Sequence, residues 1–321
     1  MSRGGSRTVH VVDEPLIRLA GVTKRYPGVI ALDDLSVEVP RGTIGFVGAN
    51  GAGKTTTFRM LLGLAHPTRG RVEVCGIDVA ADPIEVRTRV GYMPEHDCLP
   101  LDQTAADVVA TFGELSGLPA RAARQRASDV LHLVGLDEAR FRPIGGFSTG
   151  MRQRTKLAQA LVGDPEVVLL DEPTAGLDPM GREAMLALVA RLGTFGISVV
   201  MATHLLDDVQ LVCEHVVMID AGRLVAAAPT QSLLERTGTV SIDVGPRGGE
   251  LAQALATAGL FAKPLDGLVE ITVSSDDSEL DTIRDTIDTM GLPLYRLSTR
   301  LTSLDEVFLR TAGELSAEVP Q

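Results

Sequence analysis

The stretch Gly48-Ala49-Asn50-Gly51-Ala52-Gly53-Lys54-Thr55 lies between an apolar segment of strand length, 43–47, and a segment with helical spacing of apolar residues, 55–64. It fits the pattern G-x-x-x-x-G-K-[S/T] of a loop that binds phosphates between a strand and a helix. The glycines let backbone N–H groups wrap around phosphates, and the N-terminus of the helix adds a positive end. Lys54 can then reach β- and γ-phosphates, and the Thr55 hydroxyl can ligate Mg²⁺. The predicted nucleotide contacts in this loop are Gly48, Asn50, Gly51, Ala52, Gly53, Lys54, Thr55 and Thr56.

Lysine is scarce in this chain, and this scarcity strengthens the assignment of Lys54 to a phosphate-binding loop. The 321 residues include 26 arginines and four lysines, namely Lys24, Lys54, Lys156 and Lys263. The alternative interpretation is a glycine-rich turn that holds a lysine by chance. The complete motif, in its strand–loop–helix context, argues against chance.

The composition bounds the class of protein. A net charge of −12 argues against a protein that holds nucleic acid by bulk electrostatics, and 45% hydrophobic residues exclude global disorder. No apolar run approaches the length of a membrane span, and residues 1–13 are expected to be a disordered tail without a signal peptide. Cys75, Cys98 and Cys213 are too widely spaced to predict a disulfide framework or a zinc site.

A pair of acids follows a second apolar strand pattern. Asp171 and Glu172 come directly after the run 167–170. Open α/β sheets bind ligands at the carboxyl ends of their strands, so these acids are expected beside the phosphate-binding loop. There Asp171 would hold Mg²⁺, directly or through water, and Glu172 would polarise the attacking water. A solvated strand end is the alternative for the pair alone, but the phosphate-binding loop favours the catalytic interpretation.

Helical and strand patterns alternate in the middle of the chain. The pairs are 150–162 with 166–170, 180–192 with 197–202, and 205–212 with 215–219. This alternation predicts an α/β fold with a mostly parallel sheet, as in P-loop nucleoside triphosphatases, and we place this domain at residues 14–236. A helical insert is predicted at about 100–146, and one of its apolar stripes comprises Val108, Val109, Phe112 and Leu115.

The C-terminal part has a different pattern. Residues 238–321 predict a small α+β domain in which 240–244 and 269–273 alternate as strands. Leu280, Ile283 and Ile287 lie on one predicted helical face. A last helix is predicted after Thr302-Ser303, carrying Val307 and Phe308.

A third motif completes a recognisable set. The segment 147–154, Phe-Ser-Thr-Gly-Met-Arg-Gln-Arg, lies at a predicted helix N-terminus and can present Ser148 and backbone N–H groups to a phosphate. With the two motifs above, it resembles the LSGGQ signature of the ATP-binding cassette (ABC) ATPases, and it keeps Ser148 and Gly150. It departs from the usual form at Phe147, Thr149 and Met151. Its STGM form resembles the drug-export branch of that family, and the resemblance covers about 15–230.

Other residues match the family in order. Ala175-Gly176-Leu177-Asp178 resembles the D-loop, and His204 resembles the switch histidine that contacts the γ-phosphate. Tyr26 resembles the aromatic residue that stacks on adenine, with a turn-packing role as the alternative. Glu95 stands where the family usually has a glutamine, and its carboxylate could reach metal-bound water and face a transmembrane partner.

The resemblance implies an ATP hydrolase. Its implied catalytic residues are Lys54, Asp171, Glu172 and His204; the implied Mg²⁺ contacts are Thr55, Asp171 and Glu95; the implied ATP contacts outside the phosphate-binding loop are Tyr26, Glu95, Ser148, Gly150 and Asp178. It also implies a head-to-tail dimer, formed with a second copy or a related ATPase subunit, in which each ATP lies between the loop of one subunit and the Ser148–Gly150 segment of the other.

The implied role is to power export of a drug-like or other hydrophobic small molecule through a separate permease, at the cytoplasmic face of the cell membrane. A soluble cassette ATPase acting on ribosomes or DNA is the alternative. A single motif set, a short insert and the acidic balance argue against it, and no nucleic-acid partner is expected. A binding module with a degenerate site is a second alternative, against which the intact motifs argue. The C-terminal domain resembles the extension of drug- and polyketide-export ATPases, or is a packing extension without a site.

Overall fold

The computed structural model describes residues 14–235, 238–265, 268–273, 277–301 and 304. The predicted N-terminal tail and last helix lie outside the described residues. The chain divides into two compact units. The first comprises the described residues up to Leu205 together with Leu211–Ala227, and the second comprises Leu206–Gln210 and the described residues from Ala228 onward.

The first unit contains ten strands. They are β1 Ile17–Tyr26, β2 Val29–Val39, β3 Thr43–Val47, β4 Arg69–Val74, β5 Ile77–Asp78, β6 Val90–Met93, β7 Val167–Asp171, β8 Ser198–Thr203, β9 His215–Asp220 and β10 Arg223–Pro229, whose last two residues belong to the second unit. The central sheet has the order β10-β9-β3-β8-β7-β6, and the pairs from β9 to β6 are parallel. All residues of β3, β7 and β8 are buried, as expected for strands covered on both faces. The predicted mostly parallel α/β fold is therefore confirmed.

A separate antiparallel sheet, β2-β1-β4-β5, was not predicted. Its strands β1 and β2 pair from Tyr26 with Val29 to Ile17 with Val39. Register shifts interrupt this pairing, so the alternation of buried residues that would reveal continuous strands is broken. The hairpin between β1 and β2 matters for the site because it borders the phosphate-binding loop.

Among the described residues, eight α-helices precede the C-terminal sheet. They are α1 Lys54–Leu61, α2 Pro83–Arg89, α3 Ala105–Leu115, α4 Ala120–Leu133, α5 Thr149–Leu161, α6 Pro179–Thr194, α7 Leu206–Val212 and α8 Thr230–Glu235. Helices α3 and α4, with 3-10 turns at Glu138–Phe141 and Ile144–Gly146, form the predicted helical insert. One part of the predicted stripe is wrong: Val108 and Val109 are buried, but Leu115 is 77% exposed.

The second unit has the element order β11 Gly238–Asp243, α9 Gly248–Thr257, β12 Phe261–Leu265, β13 Leu268–Val273, α10 Asp277–Thr289 and β14 Arg296–Leu301. Its antiparallel sheet has the order β12-β13-β11-β14, the split β-α-β arrangement of ferredoxin-like folds. The predicted alternation of β11 and β13 is confirmed by the buried Val240, Ile242, Val269 and Ile271. On α10, Ile283 and Ile287 are buried as predicted, whereas Leu280 is exposed at the margin of that face.

Candidate nucleotide-binding site

The loop between β3 and α1 is held tightly from both sides. A Cβ added to Gly48 would lie 2.4 Å from the Ile219 carbonyl oxygen, and one added to Gly53 would lie 2.7 Å from that of Ala31. Gly51 and Gly53 also have φ values of 86° and 109°, which favour glycine. Gly53 provides no side-chain cap for α1, so the first N–H groups of that helix are available to an anion. This geometry is that of a phosphate-binding loop.

Lys54 lies inside this loop. The residue is only 7% exposed, and its Nζ donates to the Gly48 carbonyl oxygen at 2.7 Å and to that of Ala49 at 3.4 Å. Nζ also lies 3.6 Å from Oε1 of Glu172. The cation and the carboxylate from the two sequence motifs therefore meet, and both side chains are only 8% exposed to solvent.

Asp171 contacts the phosphate-binding loop at Thr55. Oδ2 accepts a hydrogen bond from Thr55 Oγ1 at 3.2 Å, whereas Oδ1 is buried and has no hydrogen-bond partner. Burial raises the pKa of Asp171, the negative charges of Glu95 and Glu172 raise it further, and the Thr55 hydrogen bond and Lys54 oppose this. A carboxylate oxygen left without a donor beside a threonine hydroxyl is the kind of pair that ligates a hard cation such as Mg²⁺.

Sequence reasoning missed Tyr92 on β6. Its hydroxyl lies 3.5 Å from Oδ2 of Asp171, and burial together with the Asp171 charge raises the pKa of Tyr92 to about 12. The phenol therefore stays protonated and can donate to the carboxylate. The sequence offers only its place in the short apolar segment 90–93, and the pairing of this strand with β7 is a finding of the structure.

Glu172 has an unusual backbone. Its φ is 49°, a left-handed conformation that costs energy for a residue with a Cβ and tends to occur at functional sites. Its N–H donates to the Ala202 carbonyl oxygen at 2.9 Å, which fixes this conformation to β8. The buried carboxylate then lies 3.0 Å from Nδ1 of His204. The strand end thus directs Glu172 to the site and joins it to the histidine that follows β8.

One cavity brings most of the predicted residues together. It is lined by Val29, Ala31, Ala49, Asn50, Gly51, Gly53, Lys54, Thr55, Thr56, Glu95, Asp171, Glu172, Ala175 and His204. We call it the nucleotide cavity. Tyr26 is not among its lining residues; it lies beside this cavity, on the β1–β2 hairpin opposite Val29, with Lys24 Nζ 4.9 Å from its ring centre. Gly48 and Ala52 shape the loop from behind, because Gly48 accepts from Lys54 and Ala52 is buried.

Three predicted residues lie in a second cavity. It is lined by Ser148, Thr149, Gly150, Met151, Arg154, Gly176, Leu177, Asp178, Gly181 and Met185, and we call it the signature cavity. Ser148 caps α5 by accepting from Met151 N at 3.3 Å, and Asp178 caps α6 by accepting from Gly181 N at 2.7 Å. Two helix N-termini therefore open at one place. The positive end of α5, which is capped by the neutral Ser148 hydroxyl, makes the signature cavity suitable for an anion, whereas the Asp178 carboxylate already offsets the positive end of α6.

Comparison with known proteins agrees with this geometry. The profile of the ABC transporter family matches residues 32–175. A Nod factor export ATP-binding protein I of Ralstonia nicotianae is 34% identical over 93% of this chain and 94% of its own length. The daunorubicin resistance ATP-binding protein DrrA3 of Streptomyces coeruleorubidus is 36% identical over 93% of this chain and 96% of its own length.

Solved structures show the same fold. The structure of cbiO1 from Clostridium perfringens, part of an ABC transporter complex, has a TM-score of 0.62 and 27% identity, and covers 68% of this chain and 90% of its own. A dimeric bacterial ABC transporter cassette has a TM-score of 0.61 and 25% identity, and covers 67% of this chain and 98% of its own. The chain belongs to the ABC transporter family and is one of its ATP-binding and ATP-hydrolysing proteins. Within that family, these two relatives are named for the export of Nod factor and for resistance to daunorubicin.

Proposed function

We propose that two copies of the chain, or one copy and a related subunit, bind ATP head to tail between the nucleotide cavity of one and the signature cavity of the other. One observation carries this proposal. The residues that the family motifs assign to one ATP line two separate cavities of this chain, with Lys54 and Glu172 in one and Ser148 and Asp178 in the other. A dimer would bring complementary halves together.

Each residue of the nucleotide cavity then has a role. The Asn50–Gly53 backbone and Lys54 bind the phosphates. Thr55 and Asp171 would hold Mg²⁺. Thr55 Oγ1 lies 3.2 Å from Oδ2 of Asp171, and Oδ1 of Asp171 has no hydrogen-bond partner, which supports this choice. When bound, Mg²⁺ neutralises charge on the phosphates. Glu172 orients and deprotonates the attacking water, and His204 holds the Glu172 carboxylate and faces the γ-phosphate.

The remaining sites complete this proposal. Glu95 lines the nucleotide cavity, and its carboxylate would act on metal-bound water beside the γ-phosphate. Tyr26, on the hairpin next to Val29, would stack on adenine at the margin of the cavity. Across the dimer, Ser148 and Gly150 would bind the partner's γ-phosphate at the N-terminus of α5, with Asp178 arranging the site.

An apolar groove supports docking of the permease. Its lining includes Leu64, Ile84 and Leu115, which are 64%, 70% and 77% exposed, together with Phe112 and Gln159. Large apolar side chains gathered at one exposed place mark an interaction site. No helix among the described residues is long and apolar enough to cross a membrane. We propose that a cytoplasmic segment of the permease occupies this groove and holds the chain at the cytoplasmic face of the membrane.

The names of the relatives support a class of cargo. The two relatives are named for export of Nod factor and for resistance to daunorubicin, and both match this chain over nearly its whole length. We propose a drug-like or other hydrophobic small molecule as the cargo. The alternative role on ribosomes or DNA finds no counterpart in these names.

Complementation between two inactive variants tests the composite site. Lys54→Ala disables the nucleotide cavity and Ser148→Arg fills the signature cavity, so neither variant alone should form ATP-dependent dimers. Mixing them gives a dimer with one intact composite site and one doubly disabled site. We expect the mixture to retain one ATP per dimer, measured by sedimentation and nucleotide quantification. If neither cavity needs the other chain, mixing will restore nothing, and that result refutes the proposal.

A further inference from the structure

Helix α5 carries two buried polar side chains that reach different loops of the nucleotide cavity. Gln153 Nε2 donates to the Ala175 carbonyl oxygen at 3.2 Å. Lys156 Nζ donates to the carbonyl oxygens of Pro94 and Glu95 at 2.8 and 2.9 Å. Both Ala175 and Glu95 line the nucleotide cavity. The helix that begins at the signature cavity is thus tied to the chain's own nucleotide cavity.

Lys156 is the more unusual of the two. Its side chain is 1% exposed, and burial lowers the pKa of its ammonium, opposed by Cys98, Asp97 and Glu95. Burying a cation costs free energy unless hydrogen bonds compensate, and an apolar residue would fill this place at less cost. The two carbonyl oxygens are the compensation that the structure provides. The position of this lysine therefore needs a reason other than packing.

A second contact fixes the same helix one turn further on. A Cβ added to Gly91 on β6 would lie 2.1 Å from the Ala160 carbonyl oxygen, so β6 and α5 approach too closely for any other residue. Gly91 begins the segment 91–95 and lies against α5, and Lys156 holds the end of this segment at Glu95. The segment 91–95 is therefore held against α5 at both of its ends.

We propose that Lys156 is a positioning residue, which holds the Pro94–Glu95 turn on α5 so that Glu95 and the N-terminus of that helix move together. This inference rests on the proposed function, in which Glu95 acts at the nucleotide and Ser148 faces the partner's nucleotide. A shift of Glu95 toward the γ-phosphate then pulls on the helix that binds the other ATP. The ammonium suits this task because its donors can serve two carbonyl oxygens from a single atom.

Kinetics of the purified full chain test this inference. Lys156→Met keeps the apolar length of the side chain and removes its donors, which leaves two carbonyl oxygens unsatisfied. We expect kcat for Mg-ATP to fall by about tenfold or more because Glu95 is misplaced, with a small change in KM because the phosphate-binding loop is intact. Lys263→Met, a substitution at an exposed lysine of the second unit, is the control and should change neither constant.

A double-mutant cycle separates positioning from a general structural role. If Lys156 acts through Glu95, Lys156→Met should change kcat by less than about twofold in a Glu95→Ala background. An equal loss of kcat in both backgrounds, or no loss in the wild-type background, overturns the inference. Thermal unfolding checks that each variant is folded, and Lys156→Gln, which keeps one donor group at shorter reach, enters the same cycle if Lys156→Met does not fold.

The cycle also tells the two proposals apart. If Glu95→Ala retains the wild-type kcat, the role proposed for Glu95 at the nucleotide fails, whatever Lys156 does. If Glu95→Ala lowers kcat and Lys156→Met does not, the Glu95 role stands and only the inference about Lys156 is refuted.

Discussion

Replacing Glu172 with glutamine removes the negative charge of a buried carboxylate and keeps its size. The carboxylate lies 3.0 Å from Nδ1 of His204 and 3.6 Å from Nζ of Lys54. A carboxamide cannot take a proton from the attacking water, and loss of a positioned general base lowers a rate by roughly 10²–10⁴-fold. This corresponds to an increase of roughly 3–5 kcal/mol in the activation free energy of hydrolysis. We expect kcat of Glu172→Gln to fall within that range.

ATP binding should respond in the opposite direction. In the nucleotide cavity, Glu172 competes with phosphate for Lys54, with a gross Coulomb attraction of about 5 kcal/mol at 3.6 Å and an effective dielectric constant of about 20. Desolvation offsets most of that energy, so we expect the affinity for ATP to be unchanged or moderately increased. Because ATP binds and is not hydrolysed, the variant should accumulate as an ATP-bound dimer.

Three measurements on one preparation check this prediction. Phosphate release gives kcat, calorimetry gives the affinity for ATP, and sedimentation gives the fraction of dimer. Glu38→Gln is the control, because it neutralises an exposed carboxylate that pairs with Arg18 on the surface. A Glu172→Gln variant that hydrolyses ATP within about threefold of the wild-type rate would refute the assignment of the base.

Two further substitutions test the metal site and the groove. Asp171→Asn should abolish Mg²⁺-dependent hydrolysis yet raise the unfolding temperature of the ligand-free chain. The raised pKa of Asp171 means that the folded state binds the proton of this carboxyl group more tightly than the unfolded state does. The free energy of unfolding therefore falls as the pH rises from the ordinary aspartate pKa through the raised pKa. Above both pKa values the charged carboxylate destabilises the folded state. Calorimetry without nucleotide measures this, and an unchanged or lower unfolding temperature at neutral pH contradicts it. The double variant Ile84→Arg with Leu115→Arg should retain ATP hydrolysis by the purified chain and lose export with the permease. The control is Leu211→Arg, at an exposed leucine outside the groove. Export by the double variant at the wild-type rate contradicts the docking proposal.

The local motifs could be predicted from the sequence because each lies within a few consecutive residues. The phosphate-binding loop needs glycines at fixed places between a strand and a helix, and the apolar strand before Asp171 is a single continuous run. Their meeting could also be expected, since parallel strands end at one edge of a sheet. The sequence does not determine the distances between the side chains of the site. That Lys54 pairs with Glu172, or that Tyr92 reaches Asp171, depends on side-chain directions across neighbouring strands.

Leu115 shows a different limit. Its spacing on α3 is that of a residue on the buried stripe, yet it is largely exposed beside Ile84 and Leu64. Apolar periodicity reports which face of a helix is apolar, and it does not distinguish a core from a surface that a partner covers. The antiparallel sheet was missed for a related reason. The register shifts between β1 and β2 interrupt the alternation on which strand prediction depends.

The four lysines of this arginine-rich chain divide into two classes. Lys24 and Lys263 are not buried, whereas Lys54 and Lys156 are 7% and 1% exposed. Both buried lysines donate to pairs of consecutive backbone carbonyl oxygens, those of Gly48 and Ala49 in one case and those of Pro94 and Glu95 in the other. A guanidinium is planar and wide, whereas an ammonium is compact and directs several donors from one atom. Arginine provides nearly all the other cations of this chain, and the two buried lysines are found where a charge must reach the backbone of a loop that forms the nucleotide cavity.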